Sequence, residues 1–161
     1  MSADALPLPS TSVGEAGLRD AQKIAARIAA DEVAAAQARQ AYEVGGLPAI
    51  EPDEAARANL PPGELLHAVR AGALLEAHIF SEQDSLPRGG TLYLTSGRLV
   101  HVGAETTELP LSEIEDATVA LERLVLIRLR DGSDLAIEVD QPRLLRVQLA
   151  TALAGVPVTQ P

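Results

Sequence analysis

The sequence predicts a mainly β protein with α-helix: a small antiparallel β-barrel or sandwich of about seven strands, capped by a C-terminal helix and preceded by a long N-terminal α-helix. Three observations predict this fold class. Residues 15–43 are rich in alanine, and their apolar residues recur at helical spacing. From residue 63 onward the apolar residues occur instead in short runs that turn residues separate. Helical spacing returns in residues 141–154.

The N-terminal part of the chain is predicted to hold one long alanine-rich helix. Residues 1–14 contain alternating leucine and proline and are predicted to be disordered. Residues 15–43 lack proline, and Leu18, Ile24 and Ile28 lie on one face of the predicted helix. Three basic residues line the opposite face: Arg19, Lys23 and Arg27. The helix is therefore a candidate for docking to a partner or for self-association, with a solvated or loosely docked helix and a membrane-surface helix as the alternatives.

The rest of the chain is predicted to be a linker, one domain and a short tail. Residues 44–62 are rich in proline and glycine, which predicts a linker with one helical turn near residues 53–58. The domain spans residues 63–155 and the tail residues 156–161. In its C-terminal helix, residues 141–154, we expect Asp140 to be the N-cap and Pro142 to occupy the first turn.

The strands of the domain are predicted from short apolar runs and turns. The first two runs are broken at Ala71-Gly72, and a hairpin turns at Ser96-Gly97. The clearest hairpin joins residues 124–130 and 134–139 through Asp131-Gly132-Ser133, with Val125 and Ile127 on its inner face. Four residues are expected on its outer face: Leu124, Leu126, Arg128 and Arg130.

That outer face is a second candidate interaction surface. We expect Arg128 and Arg130 to pair across the hairpin with Glu138 and Asp140. Large apolar residues beside arginine are typical of protein–protein contacts. The alternatives are ordinary surface leucines, or a face that the N-terminal helix covers.

Several segments resemble a known superfold. They are Gly63-Glu64, the segment GTLYLTSGRLV at residues 90–100, and LPLSEI at residues 109–114, followed by the Asp-Gly hairpin and the last helix. The order of these elements is similar to that of the pleckstrin-homology-like (PH-like) superfold, in particular to its bacterial and GRAM-type members. The resemblance covers residues 63–154 and implies a binding platform without an active site.

Composition disfavours several partners. The chain has 161 residues and a net charge of −10, and it contains no cysteine and only 2% aromatic residues. Nucleic acids and anionic membranes require clustered cations, which this balance does not supply. Lipid-binding members of the resembling family gather basic residues around the first strands, whereas here only Arg70 lies between residues 65 and 80. Membrane lipid is therefore a disfavoured partner, and without a signal sequence or an apolar span the protein is expected to be cytoplasmic.

Side chains that could support chemistry are scattered. His67, His78 and His101 could form a zinc site if they met on neighbouring strands, but each is surrounded by apolar strand residues and is better interpreted as isolated. Three acidic residues are interpreted as a solvated surface and not as a catalytic pair: Glu113, Glu115 and Asp116. We therefore predict no catalytic residue, cofactor or metal. The leading hypothesis is a non-catalytic protein-interaction or scaffolding module; a peripheral lipid-binding module is second, and a small enzyme or metal protein third.

Overall fold

The computed structural model describes residues 11–77 and 88–155, with side chains from residues 14–76 and 88–155. Its elements are α1 (Thr11–Gly45), α2 (Glu54–Ala58), β1 (Leu66–Ala77), β2 (Arg88–Thr95), β3 (Arg98–Gly103), β4 (Thr106–Pro110), a 3-10 turn (Leu111–Glu113), β5 (Ile114–Ala120), β6 (Leu124–Leu129), β7 (Asp134–Glu138) and α3 (Pro142–Ala154). The predicted tail at residues 156–161, the first ten residues of the predicted disordered N-terminus and His78 lie outside the described residues.

All seven strands form one antiparallel sheet in the order β4-β3-β2-β1-β7-β6-β5. The long β1 is central, because its first part pairs only with β2 and its last part pairs with β7 as well. The break predicted at Ala71-Gly72 is a bulge within this one strand, where Gly72 takes a left-handed φ of 69°. The predicted number of strands is confirmed, but the sheet is open, with β4 and β5 as its edges, and does not close into a barrel.

The main apolar core lies between one face of the sheet and α3. The predicted inner face of the β6–β7 hairpin is confirmed, since Val125 and Ile127 are buried and pair with Ile137 and Leu135. Further buried aliphatic residues come from β2 and α3: Leu92, Leu94, Leu145 and Leu149. An aliphatic core of this kind follows from the near absence of aromatic residues.

A smaller apolar cluster lies under α2. Ala56 of α2 packs with Leu66, Tyr93 and Val100 of the first three strands. The Asp53 side chain caps α2 by accepting from the Ala56 N–H at 2.7 Å. The Ile50 N–H donates to the Leu66 carbonyl at 2.8 Å. The segment predicted as a linker is thus bonded to the sheet along part of its length.

The β2–β3 turn explains the sequence motif on which the family resemblance rests. The Thr95 hydroxyl oxygen accepts from the N–H groups of Gly97 (3.2 Å) and Arg98 (3.0 Å). Arg98 Nε donates to Glu64 Oε1 at 3.0 Å, and both side chains are largely shielded from solvent. The motif therefore has a structural role, because it joins the start of β1 to the turn.

The N-terminus of α3 is capped from a distant part of the chain. The prediction that Asp140 is the N-cap is wrong: Gln141 holds that position, with a left-handed φ of 53° and no side-chain bond to the helix. The Asp31 carboxylate of α1 instead accepts from the N–H groups of Arg143 (2.8 Å) and Leu144 (3.0 Å). Helix α1 thus takes part in completing α3.

Candidate interaction site

Helix α1 docks on the domain through its second half only. Asp31 and Ala35 are buried, and Ala38 and Tyr42 are half-buried, so the docked residues follow the three-and-four spacing of one helix face. Most of the docked side chains are small, which lets α1 approach α3 closely. Little apolar area is buried by such residues, so the polar contacts of Asp31 carry much of the docking.

Arg143 connects three elements around this cap. Its guanidinium donates to Glu122 in the β5–β6 turn, and its Nε lies 3.8 Å from Glu32 Oε1 of α1. Its Nη1 lies 4.0 Å from Asp31 Oδ2. The hydrogen bond to Glu122, with smaller contributions from the carboxylates of Glu32 and Asp31, raises the pKa of Arg143. This ionic cluster fixes α1 to the domain.

The first half of α1 extends away from the domain. Residues 14–27 are all exposed, including Leu18 with 59% of its surface accessible and Ile24 with 54%. Ile28 is half-buried at the point where docking begins. The three residues predicted as an interaction face therefore leave an apolar face largely in contact with solvent. Scattered exposed apolar residues are common, but three on one face of a projecting helix form a surface for association.

A groove separates this part of α1 from the end of the domain. It is a cavity of about 920 Å³ between Ile24 and Ile28 of α1 and the bulge of β1, the β5–β6 turn and the β7–α3 connection. Its apolar wall on the domain side comprises Leu74, Leu121 and Val139. Three non-glycine residues with left-handed backbone lie along it: Leu121 (φ 52°), Glu122 (φ 62°) and Gln141 (φ 53°). Such conformations cost about 1–3 kcal/mol each and cluster at functional sites.

The second predicted surface lies on the outer face of β6. Its charged residues are not paired as the sequence predicts. Leu124 and Leu126 are half-buried and Arg128 is exposed, but the register places Asp134 opposite Arg128. The Nε of Arg130 donates to the Ser112 carbonyl at 2.9 Å. The predicted pairing of these arginines with Glu138 and Asp140 is therefore wrong, because the Asp131-Gly132-Ser133 turn sets a different register. Glu138 instead lies opposite Leu124 and 3.4 Å from Arg123 Nε.

Arg70, the only Lys or Arg between residues 65 and 80, is used within the fold. Its Nε donates to the Asp140 carbonyl at 3.1 Å, and its Nη2 donates to Gln148 Oε1 of α3 at 3.0 Å. Burial lowers the pKa of Arg70, and the neighbouring carboxylates of Asp140 and Asp31 oppose that shift. Arg70 is thus committed to holding β1 and α3 together. In the part of the chain that the structure describes, no helix is long and apolar enough to cross a membrane.

The described histidines each contact a backbone carbonyl. His67 Nδ1 lies 2.9 Å from the Pro48 oxygen, and the buried His101 Nε2 lies 3.0 Å from the Ala73 oxygen. Among the described side chains, no group of three or more His, Cys, Asp or Glu residues is arranged to hold a metal ion. The acidic residues of the 3-10 turn and β5 named above are exposed.

Sequence reasoning did not identify Asp31 or the groove. A signal for Asp31 was present, since it lies three residues after Ile28 and four before Ala35, in the middle of the docking face. A lone carboxylate at such a position indicates a polar partner on the element that the helix contacts. The identity of that partner, the end of α3, depends on the fold.

The strand order and the helix that covers one face of the sheet define a PH-like fold. No protein-family model and no curated protein matches the sequence.

Solved structures similar to the chain include two small domains. One is the C-terminal domain of an unknown protein from Leishmania infantum, with 15% identity over 57% of this chain and 86% of that one and a TM-score of 0.47. Another is the Vps36 N-terminal PH domain, with 16% identity over 59% of this chain and 83% of that one and a TM-score of 0.45. A structure reported with SsgB mutations and longitudinal cell division in sporulating Streptomyces coelicolor has 19% identity, coverages of 57% and 92%, and a TM-score of 0.28.

Proposed function

We propose that the protein is a non-catalytic protein-interaction module that assembles through α1, and that the partner of α1 is a second copy of the same chain. The observation that carries this proposal is the exposed apolar face of residues 14–28, on a helix whose other half is fixed to the domain. The bacterial, GRAM-like and cytoplasmic assignments come from the sequence and are part of the proposal.

A second copy fits this face because the pairing is self-complementary. Ala21, Ile24 and Ile28 follow the three-and-four spacing of a helix seam. Asp20 and Arg27 are seven residues apart, so they lie on the same edge of that seam. In an antiparallel pair centred between residues 23 and 24, Asp20 of each copy lies opposite Arg27 of the other. The two-fold axis thus satisfies both pairs and buries both apolar faces.

The expected association is weak. Full burial of a large aliphatic side chain stabilises by about 1.5–3 kcal/mol. Leu18 and Ile24 are 59% and 54% exposed, and Ile28 is half-buried, so only part of this gain is left for each. The six side chains of two copies would therefore contribute about 5–9 kcal/mol. Association costs at least about 4 kcal/mol in lost freedom of motion. We thus expect dimers to form in the upper micromolar range or above.

Sedimentation velocity from micromolar to millimolar concentration tests the proposal. The wild type should show a concentration-dependent monomer–dimer equilibrium, and Ile24→Glu should remain monomeric because a charge would be buried in the seam. The matched control is Val33→Glu, at a residue that is 56% exposed on the same helix and nine residues, or two and a half turns, from Ile24. Val33→Glu should dimerise like the wild type. A wild type that stays monomeric throughout, or an Ile24→Glu variant that still dimerises, contradicts the proposal.

A further inference from the structure

The cleft between α1 and α3 does not include the exposed face of α1, and it shares only Arg143 with the groove beside that face. It consists of two adjoining cavities of about 450 and 520 Å³. They adjoin because Arg39 of α1 and Arg146 of α3 line both. Their volumes lie within the range of about 300–1,000 Å³ that is typical of small-molecule sites.

Three arginines meet at the smaller cavity. Among the described residues, Arg39 makes no ion pair or hydrogen bond, and Arg146 makes one, from its Nε to the Ala117 carbonyl at 3.1 Å. Arg143 completes the set, and its Nη1 is buried without a hydrogen-bond acceptor in the described part of the chain. Glu32, the acidic residue at this cavity, lies 3.8 Å from Arg143 Nε.

Such an arrangement is unexpected in a chain with a net charge of −10. Arg143 is half-buried, and a buried donor nitrogen without an acceptor, such as its Nη1, costs about 1–3 kcal/mol. Arg39 and Arg146 are exposed, and among the residues that the structure describes neither guanidinium pairs with a carboxylate. Two cations held on neighbouring helices and directed to shared cavities are suited to one anionic group between them.

The larger cavity is lined by small apolar residues of α3 and by polar residues, among them the carboxylate of Glu43 of α1. Val147 is buried in its floor, and Ala150 and Ala154 of α3 leave space that larger side chains would fill. Tyr42 of α1 lies on the opposite side. This surface can hold a short hydrocarbon chain next to the arginines.

We propose that the cleft binds an aliphatic carboxylate, with the carboxylate group between Arg39 and Arg146 and the hydrocarbon chain along the larger cavity. Binding would bridge α1 and α3, so the ligand would also stabilise the docked position of α1. The site requires neither the exposed face of residues 14–28 nor a dimer, so it stands independently of the function proposed above.

Isothermal titration of the full-length protein with sodium decanoate tests this site. Decanoate should bind saturably, and Arg39→Gln and Arg146→Gln should each weaken binding by about tenfold or more, since each removes a charge-assisted contact. Arg128→Gln removes an exposed arginine from β6 and serves as the matched control, with unchanged affinity. The Ile24→Glu variant should also retain decanoate binding.

A comparison of different anions tests whether the ligand is an aliphatic carboxylate. Acetate, which has no hydrocarbon chain, and inorganic phosphate should bind at least tenfold more weakly than decanoate. Equal binding of acetate or phosphate would overturn the assignment of an aliphatic ligand. Absence of saturable decanoate binding, or binding that survives in the Arg39→Gln/Arg146→Gln double variant, would overturn the site as a whole.

Discussion

Replacing Asp31 with alanine should loosen α1 and α3 together. The Asp31 carboxylate, only 3% exposed, accepts from the N–H groups of Arg143 and Leu144 at 2.8 and 3.0 Å. A hydrogen bond to a charged group contributes about 1.5–3 kcal/mol, so two would give about 3–6 kcal/mol as an upper limit. Removal of an N-cap, where water can reach the freed N–H groups, costs about 0.5–2 kcal/mol. Because α1 can lift and admit water, we expect Asp31→Ala to lose about 2–3 kcal/mol.

Urea unfolding followed by circular dichroism measures this loss, and the midpoint of thermal unfolding should fall by roughly 5–10 °C. Asp31→Asn keeps one acceptor oxygen and should lose about 1 kcal/mol. The control is Asp20→Ala, at an exposed position of the same helix, which should change stability by less than about 0.5 kcal/mol. Hydrogen exchange adds a local test, because the amides of residues 143 and 144 should exchange faster in Asp31→Ala. An Asp31→Ala variant within about 0.5 kcal/mol of the wild type would refute the view that this carboxylate holds the two helices together.

Two further predictions concern the domain and α1. A Cβ at Gly97 would overlap the Glu64 carboxylate, so Gly97→Ala should destabilise the domain by about 1–3 kcal/mol in urea unfolding, whereas Gly17→Ala, with open space around it in α1, should cost nothing and stabilise by up to about 1 kcal/mol. Equal effects of the two substitutions would contradict the role assigned to the β2–β3 turn. Burial, aided by the charge of Asp53, raises the pKa of Tyr93 above its usual 10.0. The folded state favours the neutral phenol of Tyr93. The contribution of that preference to the free energy of unfolding is therefore complete below pH 10 and is lost as the pH rises through the folded-state pKa. In Tyr42→Phe, which leaves one tyrosine in the chain, the absorbance titration of tyrosinate should therefore have its midpoint above pH 10, and a midpoint at or below 10 would show that the phenol is not shielded.

The elements that depend on local pattern could be predicted from the sequence. The β6–β7 hairpin follows from alternating apolar residues around Asp131-Gly132-Ser133, and Val125 and Ile127 on its inner face are buried as predicted. Spacing also predicts that Leu18 and Ile24 lie on one face of α1, whereas their exposure is known only from the structure. Periodicity determines which residues share a face, and that information lies within a few turns of chain.

Features that depend on distant parts of the chain could not be predicted. Asp31 caps a helix that begins more than a hundred positions later, and no local pattern connects the two. The anion cleft is likewise formed by Arg39 and Arg146 from two separate helices. The outer charge pairing failed for a different, local reason: the turn places Asp134 opposite Arg128, four residues before the predicted partner Glu138.

The distance between Asp31 and its partners has a consequence for the order in which the protein folds. The amide of Arg143 lies 112 positions after Asp31 and the whole sheet lies between them, so α1 leaves the ribosome before its docking site has been synthesised. An alanine-rich helix of 35 residues is long enough to persist alone during that interval. Any chain that ends before residue 143 would therefore leave α1 undocked, with its full apolar seam free. In the nascent protein, the apolar face of α1 would thus stay accessible until the chain extends past residue 143.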